Sequence, residues 1–146
     1  MKTFLWRWLP VLLWATVIFL ASANPDPYKP LPSWWLQPCF SAGSTLPSCT
    51  ELLGRLLHTS EYAVLVALLA RALMWQRQVR LASLVLALGI SEIYSLSDEV
   101  HQIFVPGRTF QLMDLALDLL GGVIGLMVFA LIRKNSAHRS VVDPDN

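Results

Sequence analysis

Residues 112–132, LMDLALDLLGGVIGLMVFALI, form an apolar run of 21 residues in which the charged side chains are Asp114 and Asp118. An α-helix of this length can cross the hydrocarbon core of a bilayer, which is about 30 Å thick. The two aspartates and two glycines, Gly121 and Gly125, follow one another at spacings of four, three and four residues, so they share one helical stripe. The glycines form a GxxxG element, which lets another helix approach closely. The run therefore predicts a membrane span with one polar, tightly packed face.

Three further apolar runs precede this one, and the composition is typical of a membrane protein. Apolar residues make up 55% of the 146-residue chain and charged residues 14%, against about 25% charged in a soluble domain. The net charge of +1 gives no reason to expect a nucleic-acid partner, so the expected partner is the lipid bilayer. We predict a single all-α domain over residues 1–146, an integral membrane bundle of four helices. The predicted elements are spans over about 4–21, 56–75, 81–96 and 112–132, an outer loop over 22–54 and a cytoplasmic tail over 133–146.

The distribution of charges predicts how the spans are oriented in the cell membrane. Short loops rich in Lys and Arg tend to stay in the cytoplasm. Four crossings gather eight of the eleven basic residues on one side and eight of the ten acidic residues on or near the other. We therefore expect both termini in the cytoplasm and the charged segment SDEVHQIFVPGR, residues 97–108, at the outer face. The basic residues on the cytoplasmic side are Lys2, Arg7, Arg71, Arg77, Arg80, Arg133, Lys134 and Arg139.

The first apolar run has an alternative interpretation as a cleavable secretory signal. It begins with basic residues, has an apolar core and ends in the small-residue triplet Ala21, Ser22 and Ala23. Cleavage after Ala23 would leave three spans with the same orientation, because the loop from Asn24 lies outside in either case. Both interpretations are open at this point.

The two cysteines, Cys39 and Cys49, lie in the predicted outer loop with nine residues between them. In an oxidising exterior they would form a disulfide that closes a short loop and stabilises the fold by about 2 to 3 kcal/mol. The alternative is two separate thiols. We expect no metal at these cysteines, because the loop has no histidine and two thiolates do not complete a tetrahedral zinc shell.

Ionisable residues also follow helical spacing in the second apolar run. Arg55, His58 and Tyr62 stand at positions i, i+3 and i+7 on one face, with Glu61 beside it. Charged side chains are costly inside a bilayer, so they usually face the bundle interior and have partners there. We expect the polar faces of the last three spans to meet in a pocket near the outer face, where acids neutralise Arg55 and Arg108. The candidate acids are Asp98, Glu99, Asp114 and Asp118.

These motifs together resemble the VanZ-like membrane proteins, a family named for a protein associated with resistance to teicoplanin-type glycopeptides. The resemblance rests on RLLHTSEY at 55–62 and DEVHQIFVPGR at 98–108, and it implies the four-span layout. It assigns no chemical reaction. The sequence departs from the family pattern at Leu56, Phe110 and Gln111. The matching residues are Arg55, His58, Glu61, Tyr62, Asp98, Glu99, His101, Gln102, Phe104, Pro106, Arg108, Asp114, Asp118, Gly121 and Gly125.

The first of three candidate functions is binding of an anionic headgroup, either of a lipid-linked cell-wall intermediate or of the glycopeptide itself. Arg55 and Arg108 would clamp its phosphate or carboxylate, since a guanidinium matches the geometry of both groups. The structural alternative is that these arginines serve only as counter-ions for the acids. No cofactor is expected in either case.

The other two candidates are a metal-dependent hydrolase or transferase acting on envelope lipids and a small proton-coupled transporter. For the enzyme, His58 begins an HxxE motif and His101 ends a DxxH motif, which with an aspartate of the last span supply metal-ligand types. For the transporter, Glu92, Asp118 and His101 would relay protons. Four spans are few for a carrier, so it would need a homo-oligomer, for which the GxxxG face is one candidate interface.

Overall fold

The structure is a computed structural model that describes residues 2–25, 46–75 and 79–142, with side chains over 3–25, 52–75 and 79–136. This part of the chain contains four α-helices and no strand, which confirms the predicted all-α class. The helices are α1 (Lys2–Ser22), α2 (Leu46–Leu73), α3 (Leu81–Gln102) and α4 (Leu112–Val142). Each contains a segment long and apolar enough to cross a membrane: Thr3–Ser22, Leu52–Leu73, Leu81–Gln102 and Leu112–Ser136.

Three of the helices extend past the limits expected from hydropathy. Helix α2 begins at Leu46, inside the segment expected to be a loop, and α4 continues to Val142, inside the expected cytoplasmic tail. Helix α3 does not end at about Leu96 but continues to Gln102, through the charged segment. The reason is that Asp98, Glu99 and Gln102 are buried against other parts of the bundle, so their polarity does not require the helix to end.

Contacts between helices show that successive helices run in opposite directions. The guanidinium of Arg7 in α1 donates a 2.7 Å hydrogen bond to the carbonyl oxygen of Ala72, near the end of α2. Trp14, farther along α1, donates at 2.9 Å to the carbonyl oxygen of Glu61, nearer the start of α2. The ends of α1 and α3 meet where Ser22 bonds to Asp98, and the N-terminal half of α2 lies against α4 where Thr59 contacts Gly121. We call this end of the bundle the polar end.

Helices α2 and α4 make the closest helix pair, through the GxxxG element. A Cβ built on Gly121 would overlap the backbone carbonyl of Thr59, and one built on Gly125 would overlap that of Ala63. Glycine lets the two backbones touch here because it has no side chain. The GxxxG face thus packs within the chain, and a homo-oligomer, which stays a prediction, would have to use another surface.

The core lies along α2, whose buried face includes Tyr62, Val66, Leu69 and Ala70. Large apolar side chains on the outward faces of the helices remain exposed, as the lipid-facing surface of a membrane protein requires. Cys39 lies outside the described residues, as does the side chain of Cys49, so the disulfide stays a prediction.

Candidate functional site

Two aspartates anchor the polar end through hydrogen bonds with serines. Asp98 is 3% exposed, and its Oδ2 accepts hydrogen bonds from Ser22 of α1 at 2.7 Å and from Gln102 one turn later at 3.1 Å. Asp118 is 1% exposed, and its Oδ2 accepts a hydrogen bond from Ser95 at 2.6 Å. These bonds join α1 to α3 and α3 to α4, so both aspartates brace the bundle.

Helix α2 brings two basic groups towards the acids of α4. His58 Nδ1 lies 3.7 Å from Asp118 Oδ1, and Arg55 Nε lies 3.8 Å from Asp114 Oδ1. Arg55 also donates a long hydrogen bond of 3.5 Å to the side-chain oxygen of Gln111. The N···O separation in both ion pairs exceeds hydrogen-bonding distance, so the charges attract each other but the groups do not form a hydrogen bond. The prediction that an acid partners Arg55 is confirmed for Asp114.

The connection between α3 and α4 is a turn fixed by hydrogen bonds. The N–H of Arg108 donates to the carbonyl oxygen of Val105 at 3.1 Å, and the N–H of Gln111 donates to Glu99 Oε2 at 2.9 Å. Gly107 has a φ of +82°, a left-handed conformation that glycine adopts without strain. The turn carries the side chain of Arg108 back over the end of α3, to Gln102.

The side-chain partner of Arg108 differs from the predicted one. Within the described part of the chain, the side-chain hydrogen bond of Arg108 runs from Nε to Oε1 of the neutral Gln102, at 3.3 Å. Among the described residues, no carboxylate lies at ion-pair distance from its guanidinium. Arg108 therefore has no direct ion pair with an acid in this part of the chain, because the acids at the polar end are directed to serines, to backbone N–H groups or to α2.

A cavity of about 130 Å³ opens between these groups. One water needs about 10–15 Å³ by this kind of measure, so the space admits a small polar group and not just a single water. The walls are formed by α2, the end of α3, the turn and the start of α4. The lining residues are Gly54, Arg55, His58, Gln102, Gly107, Arg108, Thr109, Gln111 and Asp114.

Several buried polar atoms in and below this cavity have no hydrogen-bond partner within the described part of the chain. Four of them are carboxylate oxygens. In three of these carboxylates the other oxygen accepts a hydrogen bond, and the fourth, that of Asp114, lies near Arg55. Beneath them the hydroxyl of Tyr62 is also buried without a partner. Buried polar atoms in proteins are normally hydrogen-bonded, so this concentration of unpartnered oxygens is unusual. The four oxygens are Asp98 Oδ1, Glu99 Oε1, Asp114 Oδ1 and Asp118 Oδ1.

The two histidines of the HxxE and DxxH motifs have different neighbours. His58 faces Asp118, whereas His101 stacks on Phe19 of α1 with ring centroids 4.5 Å apart. Among the described residues no group of three His, Cys, Asp or Glu side chains has the arrangement that holds a metal ion. The contacts in this part of the chain likewise do not join Glu92, Asp118 and His101 into the relay considered above.

Of the predicted site residues, the cavity collects Arg55, His58, Gln102, Arg108 and Asp114. Tyr62, Asp98, Glu99 and Asp118 form the buried layer next to it. His101 lies against α1, and Glu61 uses its backbone carbonyl to hold Trp14. Whether these residues bind a ligand stays a prediction.

Three residues of the network did not stand out as site residues in the sequence: Ser22, Ser95 and Gln111. Ser95 had a signal, because it lies three residues before Asp98 and seven before Gln102, on the same helical face. Gln111 stood out only as a departure from the family pattern. Ser22 had no signal in the sequence, because its hydrogen-bond partner Asp98 is 76 positions away.

Comparison with known proteins gives one match. A family model described as VanZ/LLP1 matches residues 7–133, a range that runs from α1 into α4 and includes the whole polar end. No curated protein and no solved structure matches the chain.

Proposed function

The chain belongs to the VanZ/LLP1 family, and from this premise we propose that it binds an anionic headgroup at the outer face of the cell membrane. The binding site is the cavity at the polar end, and Arg108 is the group that contacts the anion. The headgroup belongs to a lipid or lipid-linked intermediate of the cell envelope, or to the glycopeptide that the family name suggests.

The observation that carries this proposal is the state of Arg108. Its guanidinium lines the cavity, and among the described residues its side-chain bond goes to a neutral amide. A guanidinium has five N–H donors in a planar fork that matches a phosphate or a carboxylate. An arginine that served only as an internal counter-ion would be expected against a carboxylate, as Arg55 is against Asp114.

Arg55 has a different role in this proposal. It lies near Asp114 and Gln111, and it lines the same cavity. Its charge supports the anion at longer range, while Asp114 holds the side chain in place. Asp98 and Asp118 are bonded to serines in the buried layer, which favours a bracing role for them.

The placement at the outer face is supported by the charges at the other end of the bundle. Arg7 bonds to the end of α2, and Arg71 stacks over the Trp75 ring at 4.7 Å, also at the end of α2. Arg80 lies at the start of α3, at the same end. Basic residues near the ends of spans favour the cytoplasm, which leaves the polar end outside and both termini inside.

The test is binding of an anionic lipid by the purified full-length chain. Nanodiscs of phosphatidylcholine with phosphatidylglycerol as titrant give the affinity of the wild type and of R108Q. The loss of charged hydrogen bonds is expected to weaken binding about tenfold to a hundredfold, since each is worth about 1.5–3 kcal/mol.

The matched control is R80Q, which removes the same charge at the opposite end, at a residue with no side-chain capping bond. R80Q should bind as the wild type does. Equal affinity of R108Q and R80Q, with both correctly folded, would overturn the assignment to Arg108. In cells, R108Q and not R80Q should change susceptibility to teicoplanin if the headgroup is that of the drug or its target.

A further inference from the structure

The cavity at the polar end contains acids as well as arginines, and this restricts which anionic ligands it accepts. Asp114 lines the same cavity as Arg108. Next to it lie Asp98, Glu99 and Asp118, which are between 1% and 3% exposed. Among the lining residues, a ligand that carried only negative charge would meet Arg55, His58 and Arg108 but also the carboxylate of Asp114, which repels it.

We infer that the ligand is a zwitterion, whose anionic group binds Arg108 and whose ammonium group donates hydrogen bonds to the carboxylate of Asp114. This inference rests on the proposed function and names the chemical class of its ligand. Phosphoethanolamine, as a free molecule or as a lipid headgroup, is the simplest example, because it joins a phosphate to a primary ammonium.

The unpartnered oxygens support an ammonium more than a further anion. Asp114 Oδ1 is buried, makes no hydrogen bond within the described part of the chain, and has Arg55 Nε only at 3.8 Å. Asp118 lies one helical turn farther along α4, outside the cavity lining, and its Oδ1 faces His58 Nδ1 at 3.7 Å without a hydrogen bond. A primary ammonium has three N–H donors and no acceptor, so it matches carboxylate oxygens that lack donors.

The contrast with Arg108 completes the argument. Arg108 supplies N–H donors and no acceptor, and the carboxylate of Asp114 supplies acceptors and no donor, within one cavity of about 130 Å³. The chain itself does not bring these two groups into contact as an ion pair. A molecule with separated charges of opposite sign satisfies both, which neither an inorganic phosphate nor an amine does alone.

The experiment compares headgroups on the intact full-length chain in nanodiscs. Phosphatidylethanolamine is expected to bind about tenfold tighter than phosphatidylglycerol, because one charge-assisted hydrogen bond accounts for about that factor. Successive N-methylation of the ethanolamine should reduce the affinity step by step, since each methyl group removes an N–H donor. Free phosphoethanolamine tested against free glycerol phosphate distinguishes a soluble ligand from a lipid headgroup: a preference seen only in nanodiscs assigns a lipid.

The variant D114N should reduce the preference for the ethanolamine headgroup over the glycerol headgroup to less than about threefold; this preference is a ratio of two affinities of one variant, so a loss common to both headgroups does not change it. The matched control is E92Q, which removes the same type of charge from α3 at a residue that does not line the cavity. E92Q should keep the full preference.

The outcomes separate this inference from the proposed function. Equal affinity of the wild type for both headgroups, or no effect of N-methylation, overturns the zwitterion and leaves the anion site standing. Failure of every phosphate-bearing headgroup to bind overturns both. If D114N does not fold, the methylation series on the wild type decides the question without it.

Discussion

Substitution of Gly121 by alanine tests whether the contact between α2 and α4 holds the polar end together. A Cβ at this position would overlap the backbone carbonyl of Thr59, which follows His58 in the chain. A backbone carbonyl in a helix cannot rotate away as the end of a flexible side chain can. The two helices must therefore move apart by enough to admit a methyl group.

The magnitude follows from a comparison with Gly89 on α3, where an added Cβ meets nothing within 4 Å. Both substitutions gain the same helix propensity, about 1 kcal/mol per residue in a helix interior, so this contribution cancels between them. Overpacking costs about 1–3 kcal/mol, and it applies to G121A alone. We expect the free energy of unfolding of G121A to be lower than that of G89A by about this amount, towards the upper part of the range.

The assay is reversible unfolding in mixed micelles of increasing dodecyl sulfate content, followed by tryptophan fluorescence. G125A, whose Cβ would overlap the carbonyl of Ala63, serves as an independent repeat of the same contact. G121A should also weaken headgroup binding, because moving α2 from α4 lengthens the 3.7 Å separation of His58 and Asp118. Equal stability of G121A and G89A would refute the packing described for this helix pair.

Two further predictions concern the topology of the chain. In a chain whose two cysteines are replaced by serine, T109C should react with a membrane-impermeant maleimide on intact cells and S136C should not, and the reverse pattern would refute the proposed orientation. The mature protein should retain α1, because Ser22 bonds to Asp98 and Trp14 to the Glu61 carbonyl. Intact-mass spectrometry checks this, and a product that begins at Asn24 would contradict it.

Hydropathy predicts the existence and the centres of the four spans, but not their ends. The end of α3 is instructive, because a run of ionisable residues beginning at Asp98 is typical of a loop. In the structure, Asp98 and Glu99 receive their hydrogen bonds from α1 and from the turn before α4. Such partners are distant in sequence, so a local pattern cannot tell an exposed charged loop from a buried charged helix end.

Helical spacing predicted which residues of the candidate site share a helix face. The stripes that contain Arg55 and Asp114 do face each other, as the spacing indicates. Which acid partners which base was not predictable, because it depends on separations of a few ångströms between helices. Arg108 shows this most clearly, since it lies among acids in the sequence and bonds to Gln102 in the structure.

The opposite charges that line the cavity at the polar end affect which headgroups it binds. Two unit charges 4 Å apart interact by about 4 kcal/mol at the effective dielectric constant of about 20 that applies near a protein surface. At equal distances, Asp114 would therefore cancel most of the attraction that Arg108 exerts on a simple anion, and Arg55 restores only part of it because it already faces Asp114. By this balance the cavity binds a phosphate without an ammonium, such as that of phosphatidylglycerol, more weakly than a headgroup that carries both. A ligand that carries an ammonium beside its phosphate turns the same aspartate from a repulsive group into an attractive one. In the proposed site, Asp114 is thus more than a counter-ion for Arg55, because it selects among headgroups that all carry a phosphate.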